Sequence, residues 1–387
     1  MTDEKTAIHV GSSDKAAATE TYRDGTLIVH TPRGLRDQEA LLVETLPEKK
    51  SGVFLVIGAR DGVLAMALSR LNPDAKIVDY HVDVFHQGRA SRHVEQALDV
   101  KDRIAVTAHE DLPGGPESYA GIFIAHSIHE DSALTAEWIG LAASRLAKKG
   151  ILTVAVDSLR DRLMRERVKR VFGAATVKED DDRRGIVIIA RRPEKARAEK
   201  PPHIETFTFK ESGDVLEFQS RSGVFAAGRM DDGARALIRE MVPRDGDRIL
   251  DVGCGLGVVG ICAARRVQAR SLTLVDANVR ALRLAEANAS RILAGRGTAL
   301  TALLSAYPER DVAPGAFDLV LANPPYFSDF RIAELFIDAG VRAVAPGGRF
   351  HLVTKQPVWY REELPRRWSS IREVERGGYV VFSGKAP

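Results

Sequence analysis

Apolar positions along the chain fall into short β-branched runs that alternate with longer stretches of helical period, first across residues 23–192 and again across residues 204–387. Parallel strands covered on both faces read as near-continuous apolar runs, and the crossovers between them read as amphipathic helices. Each half is therefore predicted to be an α/β domain with a doubly wound, mostly parallel sheet. In the second half the spacing puts strands at 248–252, 271–275, 317–322 and 349–354, with helices at 257–266, 278–292 and 332–344. Glu373 and the run 379–383 flank Gly377-Gly378 and read as a closing hairpin. Residues 1–22 are polar without periodicity and read as a flexible tail. Residues 193–203 have almost no apolar content, include Pro201-Pro202, and read as an extended linker.

The halves also repeat one another. Gly58 and Gly62 precede Gly253 and Gly257 by 195 residues, while Val78-Asp79 and Ile124-Ala125 precede Val275-Asp276 and Leu321-Ala322 by 197. Gly150-Ile151-Leu152 stands where Gly347-Gly348-Arg349 recurs. Such spacing implies duplication of one fold.

Composition narrows the class without naming it. A chain of 387 residues, 44% hydrophobic, is long enough for two separate cores. No apolar run reaches the roughly 18 residues of a membrane span, and the acidic opening Met1-Thr2-Asp3-Glu4-Lys5 does not read as a signal peptide, so a soluble cytoplasmic protein is expected. Cys254 and Cys262 fit neither a disulfide framework nor zinc spacing, and His81, His86, His126 and His129 lack paired spacing, so no metal is expected. A net charge of +3 neither demands nucleic acid nor excludes it. A basic clue lies in the linker and in Arg331, Lys355, Arg361, Arg366 and Arg367.

Two motifs carry chemistry. The run Asp251-Val252-Gly253-Cys254-Gly255-Leu256-Gly257 joins a strand to a helix through three alternating glycines. Glycine lets backbone turn sharply and approach a ligand, and the helix start offers unpaired N–H groups. A dinucleotide loop would want Gly or Ala where Val258 stands. Asp276, closing the next strand with Ala277 beside it, is positioned to accept both hydroxyls of a ribose, while Asp251 can reach a cationic amino-acid portion of a cofactor.

The second motif is Asn323-Pro324-Pro325-Tyr326, directly after the strand at 317–322. In open α/β sheets ligands sit at the carboxyl ends of strands, so it faces the same crevice as the glycine turn. An exocyclic amine on a flat ring shares its lone pair with the ring and is a poor nucleophile. Two acceptors on its two N–H bonds, the Asn323 side-chain oxygen and the Pro324 carbonyl, would free that lone pair for attack. Pro324 and Pro325 hold the backbone of the acceptors rigid, and Tyr326 would stack on the substrate. The plainer reading is that Pro-Pro merely ends a strand.

Taken together, these motifs resemble class I methyltransferases that act on amines. With Ser222-Gly223-Val224-Phe225, Asp232-Gly233 and the duplicated layout, the chain is similar to the RsmC/RlmG family of rRNA guanine-N2 methyltransferases; Thr354-Lys355-Gln356 and Gly377-Gly378-Tyr379 resemble archaeal single-domain relatives. The resemblance implies two tandem Rossmann-like class I methyltransferase domains with seven-stranded sheets, the N-terminal copy degenerate. It implies S-adenosylmethionine as donor, held by Asp251, Gly253, Cys254, Gly255, Gly257, Asp276, Ala277, Ser305 and Asn323, with Asn323, Pro324, Pro325 and Tyr326 catalytic. It implies rRNA or a ribosomal subunit as partner of a monomeric enzyme. Where such enzymes often carry an acid or amide near the adenine, this chain has Leu304-Ser305-Ala306-Tyr307.

In the first half Val56 replaces Asp251, Arg60 replaces Gly255, and His126-Ser127-Ile128-His129 replaces the Asn-Pro-Pro-Tyr run. That copy is expected not to catalyse, and to serve as RNA positioner or scaffold. Methylation of another planar nitrogen, adenine N6 or a protein glutamine, and a non-catalytic RNA-binding assembly factor stay open as alternatives.

Overall fold

The computed structural model describes residues 8–11, 18–22, 27–31, 34–180, 182–195, 203–325 and 330–386. The chain divides into two compact units, Met1–Pro202 and His203–Pro387.

In the first unit β1 (Ile8–Gly11), β2 (Ala18–Tyr22) and β3 (Leu27–Thr31) form a small sheet in the order β1-β3-β2. Where a flexible tail over 1–22 was expected, residues 8–11 and 18–22 are strands. Their sequence hides this because strands so short bring few side chains to the core: Val10 joins Leu27 and Val29 of β3 in the buried cluster that holds Leu41 and Leu64. The chain continues through α1 (Asp37–Thr45), β4 (Gly52–Ile57), α2 (Val63–Leu71), β5 (Ala75–His81), α3 (Val84–Gln96), β6 (Ile104–Ala108), β7 (Tyr119–His126), α4 (Ser132–Arg145), β8 (Leu146–Val156), α5 (Leu163–Phe172), β9 (Thr176–Glu179) and β10 (Ile186–Arg191). Seven of these strands make one sheet, β6-β5-β4-β7-β8-β10-β9, parallel except for the antiparallel β10 and β9.

The second unit opens with a hairpin of β11 (Glu205–Glu211) and β12 (Asp214–Ser220), which sequence pattern alone did not place. It continues through α6 (Asp232–Glu240), β13 (Arg248–Val252), α7 (Val258–Arg266), β14 (Ser271–Asp276), α8 (Val279–Ile292), β15 (Ala299–Leu304), α9 (Pro308–Asp311), β16 (Phe317–Ala322), α10 (Arg331–Ala343), β17 (Val344–Thr354), α11 (Pro357–Glu363), β18 (Ser369–Arg376) and β19 (Tyr379–Lys385). The sheet order β15-β14-β13-β16-β17-β19-β18 repeats that of the first unit. All four strands and three helices read from periodicity are present, within the few residues by which helix ends vary. The run Ala-Leu-Thr-Ala-Leu-Leu of β15 suits helix as well as strand, and the pattern did not pick it out. The Gly377-Gly378 hairpin is as read: Arg376 pairs with Tyr379, and both glycines take positive φ, as a two-residue primed turn requires.

The alternation of β13 shows how the site is built into the core. Ile249 packs with α6, α7 and α8, while Leu250 and Val252 pack on the opposite face with α10 and Trp368. Each such side chain, fully withdrawn from water, contributes about 1.5–3 kcal/mol. Asp251 shares the Ile249 face, so the strand's period of two drives a carboxyl into an apolar layer just before the glycine turn.

Candidate functional site

The glycine turn leaves β13 with Gly253, Gly255 and Gly257 all at positive φ (66°, 54° and 78°), the last at the N-cap of α7. Each glycine is needed for its own reason. A Cβ on Gly253 would lie 2.2 Å from the Phe336 ring of α10, and one on Gly257 would meet Ile261 at 2.9 Å and Ala285 at 3.2 Å. Beside Gly255 a Cβ would find nothing within 4 Å, so there the turn borders open space.

Both acids anchor this turn. Asp276 accepts the Gly255 N–H through Oδ2 and the Asn278 N–H through Oδ1, each at 2.8 Å. Asp251 accepts the Gly260 N–H of α7 at 2.8 Å, an approach that a side chain at position 260 would block. Burial, with a smaller push from the Asp276 charge, raises the Asp251 carboxyl to about 7. Cys254, in the same turn, is buried, and burial together with the charges of Asp276 and Asp251 pushes its thiol up, so it is not a ready nucleophile.

Ser305 is brought alongside by β15, its N–H donating to the Asp276 carbonyl at 3.0 Å. Its hydroxyl donates to Asp311 Oδ2 at 2.5 Å and accepts the Tyr307 N–H. Sequence reasoning missed Asp311, because the carboxylate arrives from the following short helix and not from the strand end. The segment Ser222–Phe225 is strapped to the same side: Asn278 donates to the Gly223 carbonyl at 2.8 Å and the buried Arg280 to the Ser222 carbonyl at 2.7 Å.

Asn323 follows β16, which pairs with β13 in parallel so that Val252 stands opposite Ala322. The glycine turn and Asn323 thus leave neighbouring strands at the same level, about 4.8 Å apart. Asn323 is half-buried, Pro324 buried and Pro325 half-buried, while Tyr326 lies outside the described residues. The Asn323 Nδ2 donates to Asp231 Oδ2 at 3.0 Å, and Lys355 Nζ sits 4.6 Å from the centre of the Tyr379 ring. Asp231 was not singled out in the sequence; an acid just before a helical run is the usual mark of an N-cap, and that alone would not have tied it to Asn323. Three of the cations suspected of RNA contact are engaged locally: Arg361 with Glu373, Arg366 with Glu363, and Arg367 with Glu363, Glu334 and Asp338.

The equivalent turn of the first unit is built differently. Strand register corrects the alignment by offset. Val56 pairs opposite Asp79 as Asp251 pairs opposite Leu274, so the place of Asp276 falls to His81 and not to Asp79. Likewise Ile57 pairs opposite Ile124 as Val252 pairs opposite Ala322, so Ala125, not His126, stands where Asn323 does. Insertions in loops had moved the frame by a few residues. A Cβ on Gly58 would lie 2.4 Å from the Ala125 carbonyl, which means the two strand ends close on each other. The N-cap of α1 is Arg36, whose guanidinium donates to the Gly58 carbonyl and Glu130, both at 2.6 Å, and to the buried Glu39 at 2.8 Å. Arg60 does occupy the position of Gly255, and its N–H donates to Glu39 at 2.8 Å, so Arg36 and Glu39 hold the turn from its two sides. Among the described residues, no group of three His, Cys, Asp or Glu could hold a metal ion, and no helix is long and apolar enough to cross a membrane.

Comparison with known proteins finds a family match within the second unit. The model of the Methyltransferase small domain matches residues 215–383. The chain is 31% identical over 178 residues to the Ribosomal RNA small subunit methyltransferase C of Hahella chejuensis, covering 45% of this chain and 50% of that protein. It is 30% identical over 202 residues to the same enzyme of Pseudomonas aeruginosa, covering 50% and 59%. Over 174 residues it is 31% identical to the Ribosomal RNA large subunit methyltransferase G of Shewanella baltica, covering 43% and 45%. The chain matches about half the length of these curated relatives. A solved structure, the T. thermophilus 16S rRNA N2 G1207 methyltransferase (RsmC) in complex with AdoMet and guanosine, superposes over 96% of this chain and 98% of that one, with a TM-score of 0.73 at 18% identity. The fold is therefore shared across both halves: two tandem Rossmann-like domains.

Proposed function

We propose that this chain transfers a methyl group from S-adenosylmethionine to the N2 amine of a guanine in ribosomal RNA. Residues 23–192 are read as the degenerate copy, 193–203 as a linker of which 196–202 lie outside the described residues, and 204–387 as the catalytic domain. The observation that carries the reading is the parallel pairing of Val252 with Ala322, from which the glycine turn and Asn323 start as neighbours. The rRNA substrate is supported by the relatives, which are named as rRNA methyltransferases.

The residues present fit the cofactor. Gly255 borders open space, and Asp251 is a buried carboxyl whose raised affinity for a proton a cationic amino group would relieve. Gly253, Cys254, Gly255 and Gly257 would line its backbone side, with Asp276, Ala277 and Ser305 on the ribose and adenine side and Asn323 near the reacting end. When bound, the cofactor supplies an electrophilic methyl group on a sulfonium. Asn323 Oδ1 and the Pro324 carbonyl accept the two N–H bonds of the guanine amine and localise its lone pair, and Pro324 and Pro325 hold that geometry before substrate arrives. Tyr326, read from the sequence alone, would stack on the base. The protein acts as a cytoplasmic monomer in this proposal, which sedimentation would check.

The test is incubation with S-adenosylmethionine and rRNA from a strain lacking the protein, followed by mass spectrometry of the nucleosides. N2-methylguanosine is expected. Methylated adenosine, a methylated glutamine in a ribosomal protein as sole product, or no methyl transfer by protein that binds cofactor overturns the proposal.

A further inference from the structure

A side-chain amide has two nearly isosteric ends, and only one of them can accept a hydrogen bond from an amine. If Asn323 turned its NH₂ toward the substrate, donor would meet donor. The orientation is set by Asp231. A carboxylate oxygen there can only accept, so the Asn323 nitrogen must face it, as it does at 3.0 Å, and Oδ1 is the end left to accept from an amine.

Asp231 is itself fixed. It caps α6, and the same Oδ2 accepts the Ala234 N–H at 2.8 Å, where the helix start favours negative charge. Gly233 lets this helix end come close: a Cβ there would lie 2.9 Å from Asp231 Oδ2, 3.0 Å from the Tyr379 ring and 3.2 Å from Asn323 Oδ1. The first unit provides an internal contrast. Its N-cap is Arg36, its strand end is Ala125, and neither member of the pair is present.

We propose that Asp231 is a positioning residue that holds Asn323 with its oxygen toward the amine, and that Gly233 keeps the space in which the two meet. This rests on the methyl-transfer reading above.

A double-mutant cycle tests it, with rRNA from the strain lacking the protein as probe, S-adenosylmethionine as donor, and calorimetry for cofactor affinity. Asp231→Ser keeps a capping oxygen but is too short to reach Asn323. It should lower kcat by about tenfold or more while KM for RNA and cofactor affinity change by less than about twofold, because a hydrogen bond to a charged group is lost without a contact to either ligand. In an Asn323→Ala background the same change should cost nothing further, since the residue it positions is gone. Asp231→Asn can offer one oxygen to both N–H groups and should return kcat to within about threefold of wild type. If Asp231→Ser lowers the melting temperature, Asp231→Thr, also a capping residue too short to reach, replaces it in the cycle. Unchanged kcat in the Ser variant, or a loss that recurs in full without Asn323, overturns the assignment while leaving the methyl-transfer reading intact. Wild-type protein that binds cofactor and methylates no RNA overturns that reading, and the assignment with it.

Discussion

Gly58 and Gly253 occupy the same point of the same topology, each at positive φ where an inner strand of a seven-stranded sheet turns toward a helix. Around Gly253 the Phe336 ring packs close, the two carboxylates hold the turn through backbone N–H groups, and open space borders Gly255. Around Gly58 the Ala125 carbonyl closes in, and Arg36, Glu39 and Glu130 form an ion-paired network on the glycine carbonyl. Burial works against the charge of Glu39, and the Arg36 guanidinium with its hydrogen bonds overcomes it, holding the carboxyl below the usual range. The lesson is that the first site did not simply lose its motif. Its turn is kept, and Arg36 and Glu39 now hold it through the Gly58 carbonyl and the Arg60 N–H.

The comparison can be broken most directly at Asn323. Asn323→Ala should reduce turnover by about 10²-fold or more with cofactor affinity nearly unchanged, as loss of one preorganised partner does. Alanine at Ser127 in the first half should leave turnover per folded molecule unchanged; single-turnover assays on both variants make the check, and comparable losses would make the first half a participant. Next in size is Arg36→Ala, which strands the buried Glu39. It should destabilise the first unit by about 3 kcal/mol, read by denaturant melting, with kcat unchanged once the protein is folded. Asp276→Ala should weaken cofactor binding by about tenfold or more in calorimetry, consistent with loss of a charged partner, whereas His81→Ala at the equivalent place should not alter it.

The smallest effect concerns pH. The Asp251 carboxyl, ordinarily near 3.8, is raised to about 7 in the fold. A raised carboxyl favours the folded state fully at low pH, and that stability is lost as pH rises through about 7. Between pH 6 and 8 the ligand-free protein should lose about 1.4 kcal/mol on this account, a few degrees in Tm, and Asp251→Asn should remove that slope. Cofactor affinity should rise over the same interval as the carboxylate forms. Val56, the counterpart in the first half, has nothing to titrate.

What the residues made legible was local. Strand and helix periodicity located β13, β14, β16 and β17 and the helices between them, and glycines at a strand end marked a turn whose backbone needs positive φ. Asp251, Asp276 and Asn323 could be singled out because each ends or follows a strand, and in parallel sheets strand ends converge. Less legible were short strands such as β1 and β2, which carry too few core positions to show a period, and β15, whose composition suits two conformations. Equivalences between the halves also slipped, since sequence offset counts loop insertions while strand register does not.

Sequence by itself determined the order of elements, the glycine turn and the chemistry available at each strand end, because these depend on side-chain period and on what one residue's backbone can adopt. Only the tertiary structure decided which groups meet: that Asp231, 92 residues before Asn323, faces its amide nitrogen, that Ser305 is engaged by Asp311, and that Arg36 lies on Gly58. The physical reason is that hydrogen bonds form across a few ångströms of space. The separation along the chain that brings two groups within that reach is set by sheet order and helix packing.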